Sequence, residues 1–438
     1  MYEIVIGRSE EERQKLGLKG TIFLGKHYVK MGRITSLSNN IYLDIARSHV
    51  VFVCGKRGSG KSYSLGAVAE GLADLDPEIR QNLSFVLLDT MGIYWTMKYP
   101  NKQDELLLEE WKLKAKGLDV KIFTPYLFYQ HYKEKGIPTD FPFSIKPSEL
   151  HASDWHLTFG MDANEPAGVL VEKVINGLKQ DEIEYDVEDI IAAVRESVHI
   201  DDMVKAAVEN RFQAAKLWGV FSKEGTSIQD LVQPGQISIL DVSVYATMPN
   251  GWRIKSLIIG IIAMKLFIHR MIARKQEEYE AVKSAVHYFS EQGRKTKLDN
   301  PLVWLVIDEA HEFLSREEVT AATFPLITIL REGREPGISL ILASQQPGKI
   351  HTDVITQSDV VLSHRITTKI DIDALGMFMQ SYMRENLNTM IDNLPRVKGA
   401  ALLFDDTNER MYAMKVRPRF TWHGGSAPTA MMEQEGQL

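Results

Sequence analysis

The sequence predicts an α/β protein with a mainly parallel sheet, and three observations predict it. Apolar runs of strand length recur at 50–54, 85–88, 120–123, 237–240, 302–307, 338–343 and 360–362. Helical patterns fall between most of them. The runs are apolar along their whole length, as strands are when helices cover both faces of a parallel sheet. The core is expected to be doubly wound.

A chain of 438 residues has room for two or three domains, or for one large α/β domain with insertions. With 44% hydrophobic and 25% charged residues and no low-complexity tract or fixed repeat, its balance is that of a globular protein. Net charge of −7 argues against a surface coated in positive charge, while leaving room for a local basic groove. The single cysteine, Cys54, rules out a disulfide framework and fits a cytoplasmic setting. The opening MYEIVIGRSEEERQK lacks the apolar core of a signal peptide. The most apolar segment, SLIIGIIAMKLFIHRMIARK, is broken by Lys265, His269 and Arg270 and is expected to be a buried helix, with no membrane partner.

Residues 1–45 are expected to form a short N-terminal segment of one or two strands, and 46–147 with 232–425 the core. Between them, 148–231 is rich in helix formers at amphipathic spacing (VLVEKVINGL, VEDIIAAVRESV) and reads as a helical insertion. A hairpin is expected at 405–408, and 426–438 as a flexible tail.

The stretch GKRGSGKS lies between the first apolar run and a helical segment, and Gly55, Gly60, Lys61 and Ser62 fit the spacing G-x-x-x-x-G-K-[ST] in the context that motif requires. Glycines let the backbone take positive φ and approach a ligand, so successive amides can cradle a phosphate at a helix N-terminus. Gly55, Arg57, Gly58, Ser59, Gly60, Lys61, Ser62 and Tyr63 are the candidate nucleotide-binding residues. Lys61 would reach the β- and γ-phosphates of ATP, and Ser62 would complete a Mg²⁺ shell.

The run PLVWLVIDEAHEFL ends a strand in two acids, at the sheet edge where ligands bind. Asp308 is the candidate metal residue and Glu309 the candidate base for an attacking water. GISLILASQQP brings Gln345 to a third strand end as a γ-phosphate sensor, with Ser344 and Gln346 as competing candidates. Between these strands, a crossover helix ends near Arg331 and Arg334 at the opposite sheet edge. Neither would reach its own nucleotide. Arg334 could serve a neighbouring subunit in trans, and both could instead complement a helix dipole.

Together with LLDTMGIYW, QPGQISILDVS, HRITTKIDIDAL and VRPRFTWHGGSAP, these motifs resemble the HerA branch of the HerA/FtsK superfamily of DNA-pumping ATPases, from about residue 20 to 428. The resemblance implies a RecA-like P-loop NTPase core that uses Mg²⁺ and ATP. It implies a homo-oligomeric ring, typically a hexamer, that threads double-stranded DNA. It gives Lys61, Glu309, Gln345 and Arg334 catalytic roles, and it implies a partner nuclease in end processing or a defence effector. A protein-secretion ATPase and a nucleotide-dependent scaffold are the alternatives. Two departures stand out. Relatives carry an N-terminal β-barrel that docks a NurA-type nuclease, where here few residues precede Gly55. They also carry an acid where this chain has Ile93. Further candidates are Arg365 beside the phosphates, with packing or ion pairing as the favoured alternative, Arg417 and Arg419 as braces for a neighbour's nucleotide, and the charged run from Arg294 as a DNA contact, with a solvated loop as the favoured alternative.

Overall fold

The fold is described from a computed structural model covering residues 2–31, 34–180, 184–286, 297–377 and 381–425. Its strands, in chain order, are β1 (Ile4–Ile6), β2 (Thr21–Met31), β3 (Ile34–Asp44), β4 (Val50–Cys54), β5 (Leu83–Asp89), β6 (Val120–Pro125) and β7 (Phe141–Phe143). They continue with β8 (Ile237–Asp241), β9 (Leu302–Ile307), β10 (Ile338–Ser344), β11 (Val360–His364), β12 (Ala400–Asp405) and β13 (Arg410–Val416). Among the described residues they form one sheet in the order β1-β3-β2-β13-β12-β11-β4-β10-β9-β5-β8-β6-β7.

Each of the seven apolar runs is a strand, and these strands pair in parallel from β11 through β4, β10, β9, β5 and β8 to β6. Their side chains alternate between two cores. Phe52, Val86, Leu88, Leu305 and Ile307 face one core, under the long helix Gly251–Val286 and the helix Thr323–Glu332. Val51, Phe85, Leu87, Trp304 and Val306 face the other, under the helix Lys61–Ala73. Burial on both faces is why these strands carry no polar alternation.

The N-terminal segment corrects one expectation: it supplies three strands, not one or two. β2 and β3 form an antiparallel pair, and β2 continues the sheet by pairing with β13. Both have the alternating polar pattern of half-buried strands (TIFLGKHYVKM, ITSLSNNIYLD), which a search for continuous apolar runs passes over. β12 and β13 form the antiparallel hairpin at 405–410.

Residues 148–231 fold as helices, principally Ala152–Phe159, Pro166–Gln180, Val187–Glu196 and Asp202–Lys216. They enclose a core of their own around Trp155, whose ring meets Phe212 edge-on at 4.9 Å. Leu257 of the long helix and Ala321 join that core, so the insertion is seated on the sheet-covering layer. By length and composition the Gly251–Lys283 part of the long helix meets the requirement for a membrane-crossing helix, although its uncharged stretch is short; 56% of an apolar 18-residue stretch within it is buried inside the fold. Ile258, Ile262 and Leu266 are core residues. Residues 426–438, and the start of the charged run at Arg294, lie outside the described residues.

Candidate active site

β4 lies between β10 and β11, so the loop 55–60 leaves the middle of the sheet's C-terminal edge and enters the helix Lys61–Ala73. Gly55 and Gly60 have φ of 150° and 117°. A Cβ on Gly55 would stand 2.6 Å from Cβ of His364, so this turn requires glycine for space as well as for conformation. The loop is pinned from both sides: the Gly55 amide donates to the Ser344 carbonyl at 3.3 Å and the Lys56 amide to the Arg365 carbonyl at 3.0 Å. The amides of Gly58, Gly60, Lys61 and Ser62 donate to no acceptor among the described residues. With the helix dipole behind them they make an anion cradle.

Lys61 is buried and donates from Nζ to the Lys56 carbonyl at 3.3 Å. Burial pulls its pKa down, against the opposing pull of Glu309 and Asp308. On the other side of the cradle, the Ser62 hydroxyl donates to Asp308 Oδ2 at 2.7 Å, and the buried Tyr94 hydroxyl donates to the same oxygen at 3.1 Å. The strand order explains the meeting. β10 separates β4 from β9, so the glycine loop and the two acids lie roughly 10 Å apart along the edge, within reach of one triphosphate.

Glu309 has left-handed backbone, φ 53°, unusual for a residue with a side chain, and its amide donates to Asp308 Oδ1 at 2.9 Å. Its Oε1 accepts from Gln345 Nε2. Its Oε2 is buried with no hydrogen-bond partner among the described residues, and His311 Nδ1 stands 3.5 Å from it. Burial and the adjacent Asp308 raise the Glu309 pKa, with Gln345 and Lys61 opposing. An acceptor held in place with one unpaired oxygen and a raised pKa suits a group that takes a proton from water. Of the three candidates at the end of β10, only Gln345 touches the acid: Ser344 Oγ accepts from the Gln346 amide, and Gln346 is exposed.

The donor set fits Mg²⁺. Ser62 and Asp308 bring a hydroxyl and a carboxylate together at the mouth of an anion cradle, the hard oxygen ligands this ion takes.

Other candidates lie elsewhere. Arg331 pairs with Asp353 at 2.7 Å. Arg334 is exposed in the turn before β10, at the opposite end of that strand from Gln345, roughly 20 Å away. The Arg57 side chain is exposed, and Ser59 Oγ is spent on the Lys56 carbonyl within the loop. Tyr63 turns from the cradle: its hydroxyl accepts from the Arg419 amide at 2.7 Å and its ring meets His423. The expectation for Arg417 and Arg419 is overturned. Both are buried and donate to Glu70 of the P-loop helix, at 2.7 and 3.1 Å, so they hold this chain together and reach no neighbour. His364 is likewise internal, bonded through Nε2 to Ser64 Oγ at 2.8 Å and through Nδ1 to the Ala400 carbonyl at 3.2 Å. Near Ile93 the edge still carries acids: Asp89 and Asp241 end neighbouring strands in register, and burial with mutual repulsion raises Asp89 to about 7. Tyr94 and Glu70 were not singled out from sequence. Tyr94 stands within the quoted LLDTMGIYW, but only the fold shows that its hydroxyl reaches Asp308.

Comparison with known proteins identifies the family and the fold. The family described as "Helicase HerA, central domain" matches residues 29–251. The DNA double-strand break repair helicase HerA of Pyrococcus furiosus is 27% identical over 150 residues, 32% of this chain and 26% of that protein. The probable DNA double-strand break repair helicase HerA of Methanocaldococcus jannaschii is 38% identical over 69 residues, 16% of this chain and 14% of that protein. The matched stretch thus spans about a quarter or less of these curated relatives. Among solved structures, VirB4 of Thermoanaerobacter pseudethanolicus has the same fold, with a TM-score of 0.54 at 12% identity over 92% of this chain and 97% of that chain.

Proposed function

Because this chain belongs to the family of the HerA helicase central domain, we propose that it is a P-loop ATPase that couples Mg-ATP hydrolysis to movement of double-stranded DNA through a ring of its own copies. The observation that carries this is the meeting of the glycine loop with Asp308, Glu309 and Gln345 along one sheet edge. The amides of the cradle and Lys61 bind the triphosphate, and Ser62 and Asp308 would hold Mg²⁺, which would neutralise charge on the phosphate oxygens. Glu309 takes a proton from the attacking water through its unpaired oxygen, and Gln345 fixes the orientation of that carboxylate.

The exposed Arg334 supports the ring. It lies too far from its own cradle to act there, and its side chain has no partner among the described residues, so it is available to a neighbour's nucleotide. A hexamer, a partner nuclease or defence effector, a role in DNA end processing and a cytoplasmic location belong to the same proposal. It draws support from the names of the HerA relatives and from the single buried cysteine.

The test is ATP turnover with and without linear duplex DNA. Hydrolysis should rise with duplex and vanish in Lys61→Ala. Hydrolysis indifferent to DNA would move the reading to a secretion-type motor, and no turnover under any condition would end it in favour of a scaffold.

A further inference from the structure

The turn that carries Glu309 needs support from outside itself. A φ of 53° is costly for a residue with a side chain and persists only where the surroundings impose it. From there the chain makes one tight coil, in which the Glu312 amide donates to the Glu309 carbonyl at 2.9 Å and the Phe313 amide to the Ala310 carbonyl at 3.1 Å. β9 fixes the start of the coil. Near its end, Glu312 Oε2 accepts from Lys255 Nζ, on the long helix, at 2.7 Å. We propose that Lys255 is a positioning residue for ATP hydrolysis, acting through Glu312 to hold the turn that aims the Glu309 carboxylate, an inference that rests on the reading of Glu309 as the base.

Burial makes this pair a restraint. An ion pair between two exposed side chains fixes little, because both ends move in water. Here the Lys255 side chain is only 7% exposed and that of Glu312 32%. A buried ammonium has no water to turn to if it leaves its carboxylate, so the pair keeps one geometry. Because the coil runs from Glu309 to Glu312 in a single turn, fixing Glu312 leaves the backbone of Glu309 little freedom to relax out of its left-handed conformation.

The anchor is itself immobile, as a positioning group must be. Lys255 lies between Ile254 and Ser256, both buried, and the Ser256 hydroxyl accepts from the Ala322 amide at 3.1 Å. The long helix and the segment 320–323 approach so closely that a Cβ on Gly260 would stand 2.4 Å from the Ala321 carbonyl oxygen. That segment holds the coil a second time, since the Thr320 and Thr323 hydroxyls donate to the Phe313 carbonyl at 3.2 and 3.0 Å. Lys255 therefore closes a ring of contacts: coil to helix, helix to segment 320–323, and that segment back to the coil. None of these contacts touches the glycine loop.

Steady-state turnover of Mg-ATP, with linear duplex DNA present, separates positioning from general support. Lys255→Met keeps the apolar stem and removes the charge. It should lower kcat by about tenfold and leave KM for ATP within about twofold of wild type. Made in Glu309→Gln, the same change should lower the remaining turnover by less than about twofold, since a residue that acts through Glu309 then has nothing left to position. Glu312→Ala breaks the pair from its more exposed side and should reproduce the loss in kcat, so it reads the pair even if Lys255→Met does not fold. Unchanged kcat in both single variants overturns the proposal. So does a loss of the same size with and without Glu309, which would make Lys255 a support for the fold at large. A rise in KM as large as the fall in kcat overturns it too, placing the effect in the cradle. A wild-type chain that hydrolyses no ATP would refute the hydrolysis reading itself, and the positioning role with it.

Discussion

Ser62 and Asp308 stand 246 residues apart in the chain, yet the Ser62 hydroxyl donates to Asp308 Oδ2 at 2.7 Å. Their meeting is the product of strand order: β4 and β9 are both neighbours of β10, and both end at the same edge. If this pair holds Mg²⁺, then Asp308→Asn should raise the Mg²⁺ concentration for half-maximal turnover by at least about tenfold. Ser62→Ala should do so less, since a hydroxyl is a neutral ligand. A magnesium titration of ATP hydrolysis reads both. Equal Mg²⁺ dependence in wild type and Asp308→Asn would remove Asp308 from the metal role.

Glu309 is held at one oxygen by Gln345 and unpaired at the other. Glu309→Gln keeps the shape and removes the base, so turnover should fall by about 100-fold or more while ATP still binds. The pH dependence has a defined sign. The base works only when ionised, and burial beside Asp308 raises its pKa. Activity should therefore decline on acidification at a higher pH than an ordinary glutamate, near ~4.3, would give. A pH–rate profile whose acid limb survives in Glu309→Gln would show that another group sets it.

Tyr94 is buried and shares Asp308 Oδ2 with Ser62. It touches no reacting atom in the proposed scheme and is a positioning residue. Tyr94→Phe should cost about 1 kcal/mol in stability and loosen Asp308, raising the Mg²⁺ concentration for half-maximal turnover several-fold with little change in kcat at saturating Mg²⁺. A KM-type effect on Mg²⁺ separates this from general damage, which would lower kcat as well.

These residues differ in how far the sequence discloses them. Strands such as β9 and β10 are legible because burial on both faces writes an uninterrupted apolar run, and Lys61 and Ser62 are legible because a phosphate cradle tolerates few loop sequences. β2 and β3 write a weaker, alternating signal. Tyr94 and Glu70 write none, since a buried tyrosine or glutamate is set by partners hundreds of residues away. Arg417 and Arg419 show the same limit from the other side: two arginines near the end of the described chain read as contacts for a neighbour, and only their pairing with Glu70 shows them to be internal.

Glu70 sits on the P-loop helix and accepts from Arg417, Arg419, the amides of Phe420 and Thr421, and the Thr421 hydroxyl. Burial alone would raise its pKa, but the two guanidinium groups hold it below the usual range. Glu70→Gln leaves two buried cations without their counter-charge, which should destabilise the fold by about 3–5 kcal/mol, read as a lower urea midpoint. The C-terminal segment should loosen first, since these bonds are its anchor to the helix that follows the glycine loop. A midpoint within error of wild type would mean that the cluster contributes no net stability.

His49 supplies a pH dependence far from the nucleotide. It lies between β3 and β4, with Nδ1 at 2.6 Å from Asp359 Oδ2 and Nε2 at 3.5 Å from Asp44 Oδ2, while Asp44 also pairs with Arg8 at 2.9 Å. Burial lowers its pKa, but the hydrogen bond to Asp359 and the nearby Asp44 carboxylate outweigh that and bring it to about 9. The folded chain thus holds this proton more tightly than the unfolded chain, whose histidine titrates near ~6.5. The resulting stabilisation, on the order of 3 kcal/mol at most, is complete below ~6.5, declines as pH rises, and is gone once pH passes about 9. Urea midpoints measured from pH 6 to pH 10 should fall across that window in the wild-type chain. In His49→Gln the midpoint should start lower, because Asp44 and Asp359 lose a cation, and should stay flat over the same range. A wild-type decline that His49→Gln reproduces would assign it to other groups and leave the His49 imidazole neutral in the fold.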